Sequence, residues 1–205
     1  MPNAVKKEGS RERILDGAAE EFALAGFSGA RIDRIARRTQ LNVRMIYYHF
    51  GSKKGLYRAV LQSIYEEAVK IIEATRKDCD PTLAALGLYF DLLTDQPRFA
   101  DVLVREVLDG GKHLKALFKD RPELFLKVHQ HAHHIVSAGM EQGHLRQMDA
   151  AMVVTSLISI VCFMSAARGS MGVFLDGRVP DPAAFKSHLF QLLLDGIRQH
   201  PTAPS

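Results

Sequence analysis

The chain has 205 residues, 47% of them hydrophobic and 24% charged, with 15 Gly, 8 Pro and 2 Cys. This composition excludes a disordered chain, a collagen-like repeat and a disulfide scaffold, and it suits one domain or two closely packed ones. Cys79 and Cys162 form no Cys-x-x-Cys, and the opening MPNAVKKEGS carries no apolar run of the signal-peptide kind, so the expected compartment is the reducing cytoplasm.

The formal net charge of +4 is unevenly spread. Residues 1–58 carry 12 Lys/Arg against 6 Asp/Glu, and the other 147 residues are net −2. A basic first quarter on a slightly acidic body implies a polyanionic partner for that quarter alone.

The elements expected along the chain are all helical. Ser10 can cap a first helix whose stripe is Ile14, Leu15, Ala18, Ala19 and Phe22, with Gly26 just past its end. Ile32, Ile35 and Ala36 mark a short second helix. Asn42 caps a short third one running from Val43 to about His49. Gly51-Ser52 breaks the chain and caps a long fourth helix with the stripe Leu56, Val60, Ile64, Ala68, Ile71.

Further helices are expected at about 81–95, 97–108, 122–141, 149–168 and 182–198. Three of them open on Pro preceded by a charged residue, at Asp80-Pro81, Arg121-Pro122 and Asp181-Pro182. Gly110-Gly111 stops the 97–108 helix, and Gly169 to Pro180 reads as a loop. No stretch alternates long enough for a strand, so the fold class is all-α.

The run Ala150 to Ala167 contains no charge over 18 residues, near the ~20 residues that span a membrane. Thr155, Ser156, Ser159 and Ser165 interrupt it, and no Trp or Tyr marks its ends. It reads as a helix buried in protein, against a second copy of itself, with no membrane involved.

Residues 27–58 carry the functional signal. Two short helices joined by a tight turn, the second opening on an Asn cap, have the layout of a helix-turn-helix whose second helix enters the major groove of double-stranded DNA. Val43, Arg44, Tyr47 and Tyr48 fall on or beside the exposed face of that helix, while Ile46 and Phe50 point to the core. Arg44 can pair with a guanine edge, Val43 can touch a thymine methyl, and the tyrosine hydroxyls can reach phosphate. The first amides of the fourth helix, with Lys53, make a second phosphate site.

The stretch GARIDRIARRTQLNVRMIYYHFGSKKGLYRAVL resembles the TetR family of bacterial transcriptional regulators. The resemblance rests on Ile35-Ala36, Leu41, Asn42, Ile46-Tyr47, His49-Phe50, Ser52-Lys53 and Leu56, and it covers about residues 10–62 by motif. Three positions depart from the family pattern. Ala30 replaces a Thr, so its phosphate contact passes to Arg31. Gln40 replaces the turn Gly and must adopt that residue's backbone. Asn42 replaces a Ser cap. The DNA-contact set is then Arg31, Asn42, Val43, Arg44, Tyr47, Tyr48, His49 and Lys53.

The resemblance implies a three-helix DNA-binding domain (1–55) and a larger helical domain (56–205) that dimerises through the 149–168 and 182–198 helices. It implies a repressor that leaves a palindromic operator when a small-molecule effector binds. Candidate effector contacts are Phe90, Leu93, Leu103, Val107, Phe125, His129 and Phe163. No cofactor and no metal are expected.

Two alternatives remain at this point. The cluster HQHAHH at 129–134 sets His129 and His133 one helical turn apart, a spacing open to a divalent metal, but no Cys or carboxylate joins them, so a metal-responsive regulator ranks second. A helical enzyme ranks last, because the chain has no Gly-rich phosphate loop, no Gly-x-Ser-x-Gly and no His-Glu-x-x-His.

Overall fold

The structure is a computed structural model, and it describes residues 2–74, 91, 96–173, 176–178 and 181–198. Among these residues the regular elements are helices, with a single isolated bridge between Leu145 and Arg198. They are α1 (Pro2–Gly29), α2 (Ile32–Thr39), α3 (Val43–Phe50), α4 (Lys53–Ala74), α5 (Pro97–Leu108), α6 (Lys112–Asp120), α7 (Pro122–Glu141), α8 (Ala150–Ala167) and α9 (Pro182–Ile197). The all-α expectation holds. The expected 81–95 helix, with Phe90 and Leu93, lies outside the described residues.

The chain groups into two compact units, residues 1–67 with 98–124, and residues 68–97 with 125–205. The division expected at 55/56 follows the motif, whereas packing gathers the start of α4, α5 and α6 with the N-terminal helices.

In the first unit, Ile14, Ala18 and Phe22 of α1, Ile35 of α2, Ile46 of α3, and Leu56, Tyr57, Val60 and Leu61 of α4 are buried. The helix α1 starts at Pro2 and not at Ser10, which lies inside it. Its helical backbone breaks at Gly26, where φ is 66° and ψ 179°, the position expected to end it. Gly17 lets α1 and α2 approach, because a Cβ there would stand 2.4 Å from Thr39 Cγ2.

Glu21 sits on the apolar face of α1, only 3% exposed. Its Oε1 accepts the backbone N–H of Arg31 at 3.1 Å and lies 3.6 Å from the Arg34 guanidinium. A carboxylate from α1 therefore braces the start of α2, where Arg31 offers no side-chain cap of its own.

The helix α6 was not expected from sequence. Leu114 and Leu117 turn inward from it, but its own cap position is Gly111, whose φ of 68° is left-handed. The group that satisfies its first amides is Glu106 of α5, so no local capping signal precedes it.

The second unit has a core of Ala132, Val136 and Met140 of α7, Leu145, and Val153 and Val154 of α8. Asp149 and Asp181 cap α8 and α9, accepting from Met152 N and Ala184 N at 3.0 Å each. The expected 169–180 loop contains a short 3-10 helix over Arg168–Val173.

The uncharged helix α8 is long and apolar enough to cross a membrane, and 28% of its residues are buried within the chain. Met152, Ile160 and Phe163 face outward, beside the small residues Ala151, Thr155 and Ser159. Cys162 is buried, and burial pushes its thiol up to about 11.

Candidate nucleic-acid interface

Three devices hold the helix pair α2–α3. Asn42, in extended conformation, accepts the N–H of Met45 on its Oδ1 at 2.9 Å and so caps α3. Gln40 closes the preceding turn with φ 55° and ψ 32°, the left-handed conformation that a glycine adopts more easily. Thr39 donates its hydroxyl to Ile35 O at 2.9 Å, and its carbonyl accepts from Arg13.

Behind α3, the turn into α4 is equally tight. Gly51 has φ 71°, Ser52 Oγ accepts Gly55 N at 3.0 Å, and a Cβ on Gly55 would stand 2.2 Å from the carbonyl oxygen of Phe50. Only glycine at 55 allows α4 to start this close to the end of α3.

With Ile46 fully buried, the opposite side of α3 is turned to solvent. Val43 is 37% exposed, Tyr47 47% and Tyr48 65%, and Arg44 is exposed as well. The helix contains no acidic residue. His49 is different: it is half-buried, with its ring centroid 5.3 Å from that of Tyr48 and 6.0 Å from that of Phe50.

Internal pairing decides where the basic excess is left over. On and around α2, Arg31 and Arg37 pair with Asp33 at 3.1 Å each, and Arg38 pairs with Glu20 at 2.6 Å. The arginines beside Asp33 hold its carboxyl below the usual value against a desolvation that would raise it. Arg44 and Lys54, by contrast, have no hydrogen bond or ion pair among the described residues. The uncompensated charge thus collects at the start of α3 and at the α3–α4 turn.

Lys53 is partly engaged within the protein. Its Nζ donates to Ser28 O at 3.2 Å and lies 5.1 Å from the centroid of the Phe27 ring. Two of its three N–H donors remain for a phosphate. The backbone amides of Lys53 and Lys54, in the first turn of α4, have no intrahelical acceptor. Sequence reasoning did not single out Lys54, and its signal was the doubled Lys53-Lys54 directly after the Ser52 cap.

The other sequence candidates are dispersed. Leu103 and Val107 belong to the first unit, and Phe125, His129 and Phe163 to the second. Val107 and Phe163 are 64% and 59% exposed, because the buried face of α5 runs through Phe99, Val102 and Glu106 and leaves Val107 off it. Phe125, expected on the inner stripe of α7, is 36% exposed and packs on His129 with centroids 4.0 Å apart. His133 Nδ1 lies 3.4 Å from Ser137 Oγ. Among the described residues no group of three His, Cys, Asp or Glu side chains is placed to hold a metal ion.

Residues 14–60 match the family model for bacterial regulatory proteins of the tetR family, and residues 83–194 match that for the tetracyclin repressor-like C-terminal domain. The HTH-type transcriptional repressor NicS of Pseudomonas putida is 29% identical over 96% of this chain and 96% of NicS. The HTH-type transcriptional regulator RutR of Escherichia coli K12 is 31% identical over 59% of this chain and 66% of RutR. The fold is that of a bacterial regulatory protein in the tetR family from Rhodococcus RHA1, with a TM-score of 0.73 and 18% identity over 94% of this chain and 98% of that one. PfmR, a TetR family transcriptional regulator from Thermus thermophilus, shares it with a TM-score of 0.69 and 18% identity over 94% and 98%.

Proposed function

The chain belongs to the TetR family of bacterial transcriptional regulators, and from that premise we propose that it is a cytoplasmic repressor that binds a palindromic operator as a homodimer and leaves it when a small molecule binds. The observation that carries the DNA contact is the solvent face of α3. An unpaired arginine stands there beside a valine and two tyrosines, on a helix with no acid.

In this reading Arg44 takes a guanine edge, Val43 takes a thymine methyl, and Tyr47 and Tyr48 reach phosphate oxygens. Lys53 and the first amides of α4 hold the backbone, and Arg31, exposed at the start of α2, adds a phosphate contact. Asn42 acts by capping the helix that presents these groups.

The homodimer is supported by α8, whose outward side presents Met152, Ile160 and Phe163 around Ala151, Thr155 and Ser159. Small residues at helical spacing let two such helices approach closely, and α9 would pack beside them. For the effector, the Phe125 and His129 rings, in contact and tilted by 31°, offer an apolar and polarisable surface. An effector preferring one separation of the two α3 helices shifts the dimer toward that separation.

Selection of bound duplexes from a random DNA pool, followed by sequencing, tests the reading. The expected product is an inverted repeat with two equivalent half-sites. Failure to enrich any sequence at low salt overturns it.

A further inference from the structure

Phe27 is flanked by two lysines from different parts of the chain. Lys53 Nζ lies 5.1 Å from its ring centroid, and Lys112 Nζ, from the first turn of α6, lies 5.8 Å from it. The two ammonium groups are therefore no more than roughly 11 Å apart, within the axial rise of three phosphates along one DNA strand. The His113 and Tyr57 rings pack on the same phenyl group at 4.4 and 5.1 Å, which fixes the ring the lysines share.

A single lysine satisfies the face of a phenyl ring, and a second cation on it adds like-charge repulsion. Of the two, Lys53 has an acceptor, Ser28 O at 3.2 Å. Lys112 is exposed and has no hydrogen-bond acceptor or ion-pair partner among the described residues. The neighbouring carboxylates are otherwise placed: Glu106 is buried on the His113 and Leu114 amides, and Asp120 is paired with Arg58 at 2.6 Å. Asp109 is the exposed acid of the turn before α6. Lys115 and Lys119 continue the basic side of the helix, with Lys115 Nζ donating to Gly110 O at 3.2 Å. Because Glu106 occupies the amides of its first turn, α6 attracts an anion through its lysine side chains and not through its N-terminus.

We propose that Lys112, which lies within the C-terminal family match and outside the helix-turn-helix, is a further contact to the phosphate backbone of the DNA, adjoining the one made by Lys53. The inference rests on the DNA-binding reading above. It extends each subunit's backbone footprint beyond the helix-turn-helix to the first turn of α6.

The test uses the full-length native protein, Lys112→Gln and Lys112→Arg on the inverted-repeat duplex recovered by selection and on an unrelated duplex of equal length. Affinity is measured across 50–200 mM salt, with phosphate-ethylation interference on the selected duplex. Lys112→Gln is expected to flatten the slope of log K against log salt by about 0.9 per subunit, on both duplexes alike. It should also abolish interference at one phosphate per half-site, and Lys112→Arg should restore both. A purely structural lysine would change the melting temperature and leave slope and interference pattern as in the native protein, and that result overturns the inference while DNA binding stands. If the native protein retains neither duplex at 50 mM salt, the DNA-binding reading itself fails and takes the inference with it.

Discussion

Glu106 and His113 face each other across the turn between α5 and α6 as a buried pair, 1% and 6% exposed, with Glu106 Oε2 3.0 Å from His113 Nδ1. The other carboxylate oxygen accepts the backbone N–H of His113 at 2.6 Å and of Leu114 at 3.1 Å. Burial, and then the nearby Glu106 carboxylate, push the Tyr57 phenol well above its ordinary value, so Tyr57 stays neutral. One side chain thus ties the start of α6 to α5 within the first unit.

Replacing Glu106 by Gln removes the charge these donors face and turns one oxygen into a competing donor. The expected loss is about 2–4 kcal/mol, because breaking a buried charged network leaves its partners unsatisfied. Urea unfolding followed by circular dichroism measures it. A change under about 0.5 kcal/mol would show that water reaches the pocket and takes over the bonds.

Gln40 stands in a left-handed turn that a residue with a Cβ resists. Gln40→Gly is expected to stabilise the protein by up to about 1 kcal/mol, the relief of the backbone strain exceeding the entropy glycine adds to the unfolded chain. Gln40→Val should destabilise it, since a β-branched side chain fits that region worst. The order Gly, Gln, Val in thermal midpoint checks the assignment, and any other order refutes the strain account.

Arg44 and Lys53 should fail in different ways. Arg44→Ala is expected to cost about 1–3 kcal/mol on the selected operator and little on unrelated DNA, so that base preference relaxes. Lys53→Ala should weaken all sequences alike and lower the salt slope by about one unit per subunit. Binding titrations at several salt concentrations separate the two. An Arg44→Ala protein that keeps the native ratio between its best and worst sites would remove Arg44 from base recognition.

His129, half-buried against Phe125, is held below its ordinary value of 6.5 by desolvation. Well above pH 6.5 it is neutral in folded and unfolded chains alike and contributes no pH dependence. As the pH falls below 6.5 the unfolded chain takes up the proton first, so stability is lost on acidification toward the lower folded value. The melting temperature of the native protein should therefore fall more between pH 6.5 and 5 than that of His129→Gln. Parallel curves would mean that the imidazole is solvated.

Much of the candidate interface was legible in sequence because its signals are local. The Asn42 cap, the start of α3 at Val43, the Ser52 cap and the outward positions of Val43, Arg44, Tyr47 and Tyr48 all follow from spacings within one or two turns of helix. So did the helices at 97–108 and 122–141, each bounded by Pro and, for the first, by the two glycines at 110 and 111. The half-burial of His49 beside the Tyr48 and Phe50 rings was not legible in the same way.

What the amino-acid order determined by itself was therefore the family, the all-helical class and the face of α3 that meets solvent, because helical periodicity and caps are properties of neighbouring residues. Only the tertiary structure decided which charges remain for a partner and which helix ends are satisfied. Glu21 bracing α2 from α1, Glu106 capping α6 from α5, and Lys112 meeting Lys53 over Phe27 join residues that sequence keeps apart. Electrostatic pairing depends on distance in space, and packing of the first unit brings these groups together.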